Sequence, residues 1–208
     1  MASIDWSVFM ASRDDWAKQI ARCERLRDAI GKFDGLTARP PMPVGAVDAD
    51  KTRVVIDVSG RGITGFAADR ILRENGVYVE MADFSRLVLI TSPADDPAWD
   101  EKLLGALKKL PAEKQKKLWS LSDLPKRAIR RMSLRDAALA ETEEVPLADA
   151  VGRIAGEGIG LYPPGIALCT GGEVLTKKHI ELLLRAERAG ASLFGVHGGL
   201  IAAVKEDR

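Results

Sequence analysis

Apolar side chains recur at three- and four-residue steps through residues 14–33, at Trp16, Ile20, Cys23, Leu26, Ile30 and Phe33. That spacing predicts an amphipathic helix. The stretch from Arg39 to Gly45, RPPMPVG, breaks the pattern. Proline fixes φ and lacks an N–H donor, so this stretch reads as a linker. Beyond it the period shortens. Residues 52–58 predict a strand, 65–74 a helix, 75–81 a turn and a second strand, and 86–92 a third strand. Residues 96–110 predict a helix, with Asp96 as cap, Pro97 at the first position and lysines in the last turn. The order β-α-β-β-α predicts a two-layer unit.

The second half is patterned differently. Residues 111–140 are charged and predict helix, punctuated by Pro125. Residues 143–159 predict a short extended stretch and a helix, 161–173 an ordered loop, and 174–190 a helix closed by Gly190. Residues 192–204 read as two short strands around Gly198 and Gly199, a hairpin signal. The expected class is mixed α/β, of α+β type. A β-α-β-β-α small domain is followed by a small α+β C-terminal domain, and a helix precedes both. The expected divisions are 1–45, 46–112 and 113–208.

Composition narrows the function classes. The 208 residues carry 46% apolar and 29% charged side chains, with a formal net charge of +1. No global field draws this chain to nucleic acid or to an anionic membrane. The basic clusters EKQKKL (113–118) and KRAIRR (126–131) read as solvated helix faces. Two cysteines far apart, Cys23 and Cys169, make neither a disulfide framework nor a zinc motif and read as small buried side chains. The N-terminus lacks the pattern of a signal peptide, and no apolar run approaches the ~18 residues of a membrane span. A cytoplasmic setting is expected.

Gly60, Gly62 and Gly65 spell G-x-G-x-x-G between a predicted strand and a predicted helix, and Glu80 follows at the end of the next apolar run. A dinucleotide site needs that context within a parallel sheet. Only Ala82 to Ser85 separate the second strand from the third. Four residues close a hairpin but cannot make a parallel crossover. The second and third strands are therefore expected to be antiparallel, and the glycines to serve a tight turn and a close helix approach.

The run EEVPLADAVGRIAGEGIGLYPPGIALCTGGEVL, with Gly152, Arg153 and Glu157, then Tyr162, Pro163, Pro164, Gly165 and Ile166, then Gly172 and Glu173, resembles the C-terminal domain of the bacterial ornithine/lysine/arginine decarboxylases. That family uses pyridoxal phosphate on the aspartate-aminotransferase fold. Upstream, GITGFAADRILRENGVYVEMADFSRLVLITSPADD resembles the family's small domain. FMASRDD resembles the segment leading into the helix that ends its large domain. The resemblance covers nearly all of this chain and the back half of a family member.

It implies a division of chemistry. The family's cofactor lysine stands in a Ser-x-His-Lys segment of the large domain. Here His179 and His197 are followed by Ile180 and Gly198. Without a Schiff-base lysine this polypeptide is expected to be inactive alone. Glu80 matches the family's Val-Glu strand, whose glutamate reaches the distal cation of the substrate, and Asp83 stands close enough in sequence to assist it or to cap the hairpin. Where family members have a hydroxyl-rich stretch on the cofactor phosphate, SIDW stands here, and Ser3 keeps a hydroxyl. Glu173 is a candidate cap for the helix that follows it. Trp6 and Trp16 suit an interface as well as a core.

The reading that follows is the small subunit of a split decarboxylase-like enzyme acting on a basic amino acid. A separate subunit would carry the lysine and hold most of the pyridoxal phosphate, giving a hetero-oligomer. The rivals are a non-catalytic regulatory protein descended from a decarboxylase, a dinucleotide-binding oxidoreductase, and a truncation.

Overall fold

The computed structural model describes residues 2–39, 45, 47, 49–113 and 124–205. The chain forms two compact units, Met1–Lys116 and Lys117–Arg208. Most of the 39–45 linker and the basic cluster at 113–118 lie outside the described residues.

The first unit opens with a helix absent from the sequence reading, α1 (Ala2–Ala11). It buries none of its residues, and Ile4, Trp6 and Val8 stay more than 60% exposed. Its apolar positions do not gather on one face, so periodicity gives no signal there. Helix α2 (Trp16–Ile30) follows. Asp15 caps it, accepting the Lys18 amide at 2.9 Å, and its inner face buries Cys23, Leu26 and Ile30 as the spacing predicts. Trp16, expected on that face, is 41% exposed.

The sheet of this unit has three strands, β1 (Arg53–Asp57), β2 (Met81–Ala82) and β3 (Arg86–Ile90), in the order β1-β3-β2. Both pairings are antiparallel. Helices α3 (Gly65–Glu74) and α4 (Ala98–Lys108) complete the β-α-β-β-α order. Thr64 caps α3, and the Asp96 carboxylate accepts the Ala98 amide at the start of α4. The second strand is shorter than its sequence suggests. Val77 is tied back to the Leu72 carbonyl at the end of α3, and ladder bonding begins only where the Glu80 amide reaches the Val88 carbonyl.

The three fingerprint glycines serve packing. Ser59–Arg61 forms a single 3-10 turn, closed by Gly62 at φ +73°. A Cβ on Gly60 would lie 2.7 Å from the Gly35 carbonyl oxygen, and one on Gly65 would strike the carbonyl oxygens of Asp83 and Arg86. Gly65 therefore lets the start of α3 press against the backbone of the β2–β3 hairpin. Such a turn in an antiparallel sheet is not the frame of a dinucleotide site.

The second unit contains α5 (Leu134–Leu139), β4 (Thr142–Pro146), β5 (Ile159–Tyr162), β6 (Ile166–Cys169), α6 (Lys177–Arg188), β7 (Ser192–Phe194) and β8 (Leu200–Val204). Strand β4 pairs with β8, while β6, β5 and β7 make a separate antiparallel sheet. Helix α6 buries Ile180, Leu182, Leu183 and Ala186. Ile180 and Leu183 join Val145, Leu147, Ile159, Leu175 and Ile201 in one core.

Four expectations are corrected here. Residues 124–133 are extended, not helical, because the Arg131 amide bonds the Gly172 carbonyl and the Val174 amide the Ile129 carbonyl. The KRAIRR cluster is thus not a helix face. The helix expected within 143–159 is one 3-10 turn, Leu147–Asp149, followed by Gly152 at φ +88°. The loop expected at 161–173 begins as the β5–β6 hairpin, with Tyr162–Gly165 as its tip. Gly198 and Gly199 do make a tight turn, in which the His197 and Leu200 backbones exchange hydrogen bonds. Beyond it β7 and β8 part to different sheets.

Gly65→Ala is expected to destabilise the first unit by about 1–3 kcal/mol through overpacking. Gly105→Ala in α4, where an added Cβ meets nothing within 4 Å, is expected to be neutral or to stabilise by about 0.5–1 kcal/mol. Urea unfolding of the two variants checks both signs.

Candidate functional site

In the first unit a cleft of about 410 Å³ opens between α2, residues 77–80, β3 and α4. Its apolar wall comes from Leu26, Val77, Val79, Leu89 and Leu103. The polar lining is Arg22, Glu80, Asp95 and Asp100, with Tyr78 and Trp99 as aromatic walls.

Local sequence sets this arrangement. In VYVE, Val77 and Val79 point inward at 5% and 7% exposure, while Tyr78 and Glu80 stand out to solvent. That is the two-residue period of extended chain. Glu80 has no side-chain hydrogen bond or ion pair among the described residues, so its carboxylate is available. Arg22 is the opposite case. Its Nε and Nη2 donate to the two carboxylate oxygens of Asp100, each at 2.9 Å, and Nη1 and Nη2 donate to the carbonyls of Asp95 and Asp96. The hydrogen bond with Asp100 pushes the guanidinium pKa up. Arg22 thus fixes α2 to the start of α4 and has little capacity for another anion.

Of the sequence-predicted residues, Glu80 lines the cleft, whereas Asp83 and Ser3 do not. Asp83 Oδ1 accepts the amides of Ser85 and Arg86, each at 2.7 Å, and so caps the β2–β3 turn. Ser3 lies on exposed α1, where its carbonyl accepts the Ser7 hydroxyl. Arg22, Tyr78, Asp95 and Trp99 were absent from the sequence reading. The alternation in VYVE was a readable signal for Tyr78. The Arg22–Asp100 pair, 78 residues apart, had none.

The cleft does not suit pyridoxal phosphate. No lysine lines it to meet the aldehyde, and its one cation is committed to Asp100. Three carboxylates would repel the phosphate.

The second unit contains a polar knot beneath the Tyr162–Gly165 hairpin sheet. Glu173 is 8% exposed, and it accepts the Thr170 amide at 2.9 Å and the Arg130 guanidinium at 3.1 Å. Burial pushes its carboxyl up, but the Thr170 amide and hydroxyl, Arg130 and Arg127 outweigh burial and hold it below the usual value. It is not the cap of α6. Thr176 takes that role, with the His179 ring accepting the Thr176 amide at 3.0 Å in a reciprocal capping box. His179 is fully buried and its Nε2 has no partner, so burial lowers its pKa and keeps the ring neutral. Cys169 is buried beside Glu173, and burial pushes its thiol up to about 12. It is a packing residue, not a nucleophile. Tyr162, at the hairpin tip, is 61% exposed.

Comparison with known proteins places these two units. Residues 112–200 match the family described as Orn/Lys/Arg decarboxylase, C-terminal domain. The chain carries an Orn/Lys/Arg decarboxylase C-terminal domain. It is 34% identical over 191 residues to an arginine decarboxylase of Halalkalibacterium halodurans, covering 88% of this chain and 39% of that protein. It is 28% identical over 193 residues to the Bacillus subtilis arginine decarboxylase, covering 88% and 39%. The E. coli constitutive lysine decarboxylase shares the fold over 91% of this chain and 40% of its own, with a TM-score of 0.67 at 19% identity. A Francisella novicida lysine decarboxylase does so with a TM-score of 0.65 at 17% identity, over 91% and 40%. The chain spans about two fifths of the length of the relatives it matches. Among the described residues no helix is long and apolar enough to cross a membrane.

In the Orn/Lys/Arg decarboxylase C-terminal domain, Glu173 and His179 couple folding to pH. Each is held below its ordinary pKa, so each contributes stability above its unfolded value. That contribution is lost as pH falls through the folded value. The α6 amides are therefore expected to lose hydrogen-exchange protection first as pH drops below the ordinary imidazole value of 6.5, and again below the carboxylate value of 4.5. Glu173→Gln is expected to cost about 1–2 kcal/mol at neutral pH, an amount discounted for the solvent-exposed Arg130. It should also flatten the lower step.

Proposed function

We propose that this chain is the small subunit of a split, pyridoxal-phosphate-dependent decarboxylase-like enzyme acting on a basic amino acid. A separate cytoplasmic subunit carries the cofactor lysine and holds most of the cofactor, and the enzyme is a hetero-oligomer. Glu80 receives the distal amine or guanidine of the substrate. Asp83 serves the same site by fixing the hairpin that presents Glu80, and Ser3 on α1 offers its hydroxyl to the cofactor phosphate. The chain alone is inactive.

The observation that carries this reading is Glu80 itself, an unpartnered carboxylate at the rim of an apolar cleft, in a fold shared with lysine decarboxylases. The missing chemistry supports it as well. These 208 residues contain no His-Lys pair, and the cleft has neither an amine nor a free cation for the cofactor. Exposed Trp6, Phe9 and Trp16 supply aromatic anchors for the cofactor-bearing subunit.

The test is mild purification from the native cell, with the co-purifying chain identified and its visible cofactor absorbance and decarboxylation of basic amino acids recorded. A stoichiometric partner carrying the lysine is expected. Glu80→Gln should lower kcat/KM by about tenfold to a hundredfold, the loss of one charge-assisted hydrogen bond. A colourless homo-oligomer would overturn the proposal. A complete decarboxylase as partner, with activity indifferent to Glu80→Gln, would replace it with the regulatory reading.

A further inference from the structure

The cleft has a charge pattern that a substrate pocket for an amino acid does not need. Its lining holds one cation, Arg22, and three carboxylates, Glu80, Asp95 and Asp100, for a net of one minus three, or −2. Arg22 and Asp100 cancel through their two-point pair. Glu80 is unpartnered, and Asp95 bonds only the Ser92 amide and hydroxyl, which leaves acceptor capacity on its carboxylate. The residual field is that of two acids with no free cation beside them.

The walls suit one shape of ligand. The apolar side, including Val79 and Leu103, receives a methylene chain. Tyr78 and Trp99, 70% and 49% exposed, offer ring faces to a cation. Both rings already attract cations of this chain: Lys102 Nζ lies 4.4 Å from the Trp99 ring centre, and the Arg73 guanidinium carbon 5.6 Å from that of Tyr78. Neither Lys102 nor Arg73 lines the cleft. The volume, about 410 Å³, falls within the range of small-molecule sites.

We propose that this cleft is a self-contained site for an aliphatic chain with a cation at each end, a diamine or a guanidino-amine, and that it selects against the parent amino acid. The selection is electrostatic. An amino acid brings a carboxylate into a site with two free acids and no unpaired cation, whereas the decarboxylated amine brings only positive charge. The first unit therefore senses the product class of the reaction proposed above. This step deepens that reading through Glu80 but needs no partner subunit, so the two can fail separately.

Calorimetric titration of the full 208-residue chain at neutral pH and low salt tests it, with 1,5-diaminopentane and lysine as probes, which differ by one carboxylate. The expected result is saturable binding of the diamine, at least about tenfold tighter than lysine. Glu80→Gln should weaken the diamine about tenfold, and Trp99→Ala should weaken it severalfold. Glu80 is exposed and unpartnered, so its variant should keep the parent circular dichroism. Equal affinity for the two probes, absence of saturation, or indifference to Glu80→Gln would each overturn the site. Native co-purification of a cofactor-bearing subunit would still stand in any of those cases.

Discussion

Four residues of chain, Ala82 to Ser85, govern most of the first unit. They are too few for a crossover, so the strands they join must be antiparallel. Asp83 makes the reversal tight by taking two amides on one carboxylate oxygen. The carbonyls of Asp83 and Arg86 then form the surface that α3 approaches, and only a residue without a Cβ can stand there. The same reversal fixes the register that pairs Met81 with Val88, and the Glu80 amide bonds the Val88 carbonyl just before it. Glu80 is presented by backbone geometry decided several residues downstream.

Charge in this molecule is divided between groups that hold the fold and one that is left over. Arg22 closes α2 onto α4, and Arg27, 8% exposed, donates to the carbonyls of Lys51 and Arg53 and ties α2 to the entry of β1. Arg130 does the same for Glu173 in the second unit. These arginines use a planar fork to satisfy several acceptors at once, which a lysine could not do. Against that background a carboxylate with no partner is conspicuous, and Glu80 is one.

Element types in the first unit were legible because its helices and strands are amphipathic and its caps are local. Asp96 before Pro97 and the period of α2 are signals carried within a few residues. The second unit was less legible. Its segment 124–133 is held extended by bonds to residues more than forty positions away, which outweigh a helical composition. The glycine pair 198–199 announced a reversal, but only pairing with β4 and β5 decides that the flanking strands separate. Glu80 was found by resemblance and by its place at the end of an apolar run. The cleft around it, built from Arg22 to Leu103, exists only in three dimensions.

The pairing of Thr142 with Val204, continued by the Lys205 amide on the Glu141 carbonyl, sets the first and last strands of the second unit side by side. The polypeptide enters and leaves its β-structure at one place. A module with that property can be fused at either flank, or spliced into a surface loop of another protein, with little demand on the spacing of the host's ends. Portability of this kind suits a domain that must be joined to different catalytic bodies, and it rests on one antiparallel pair.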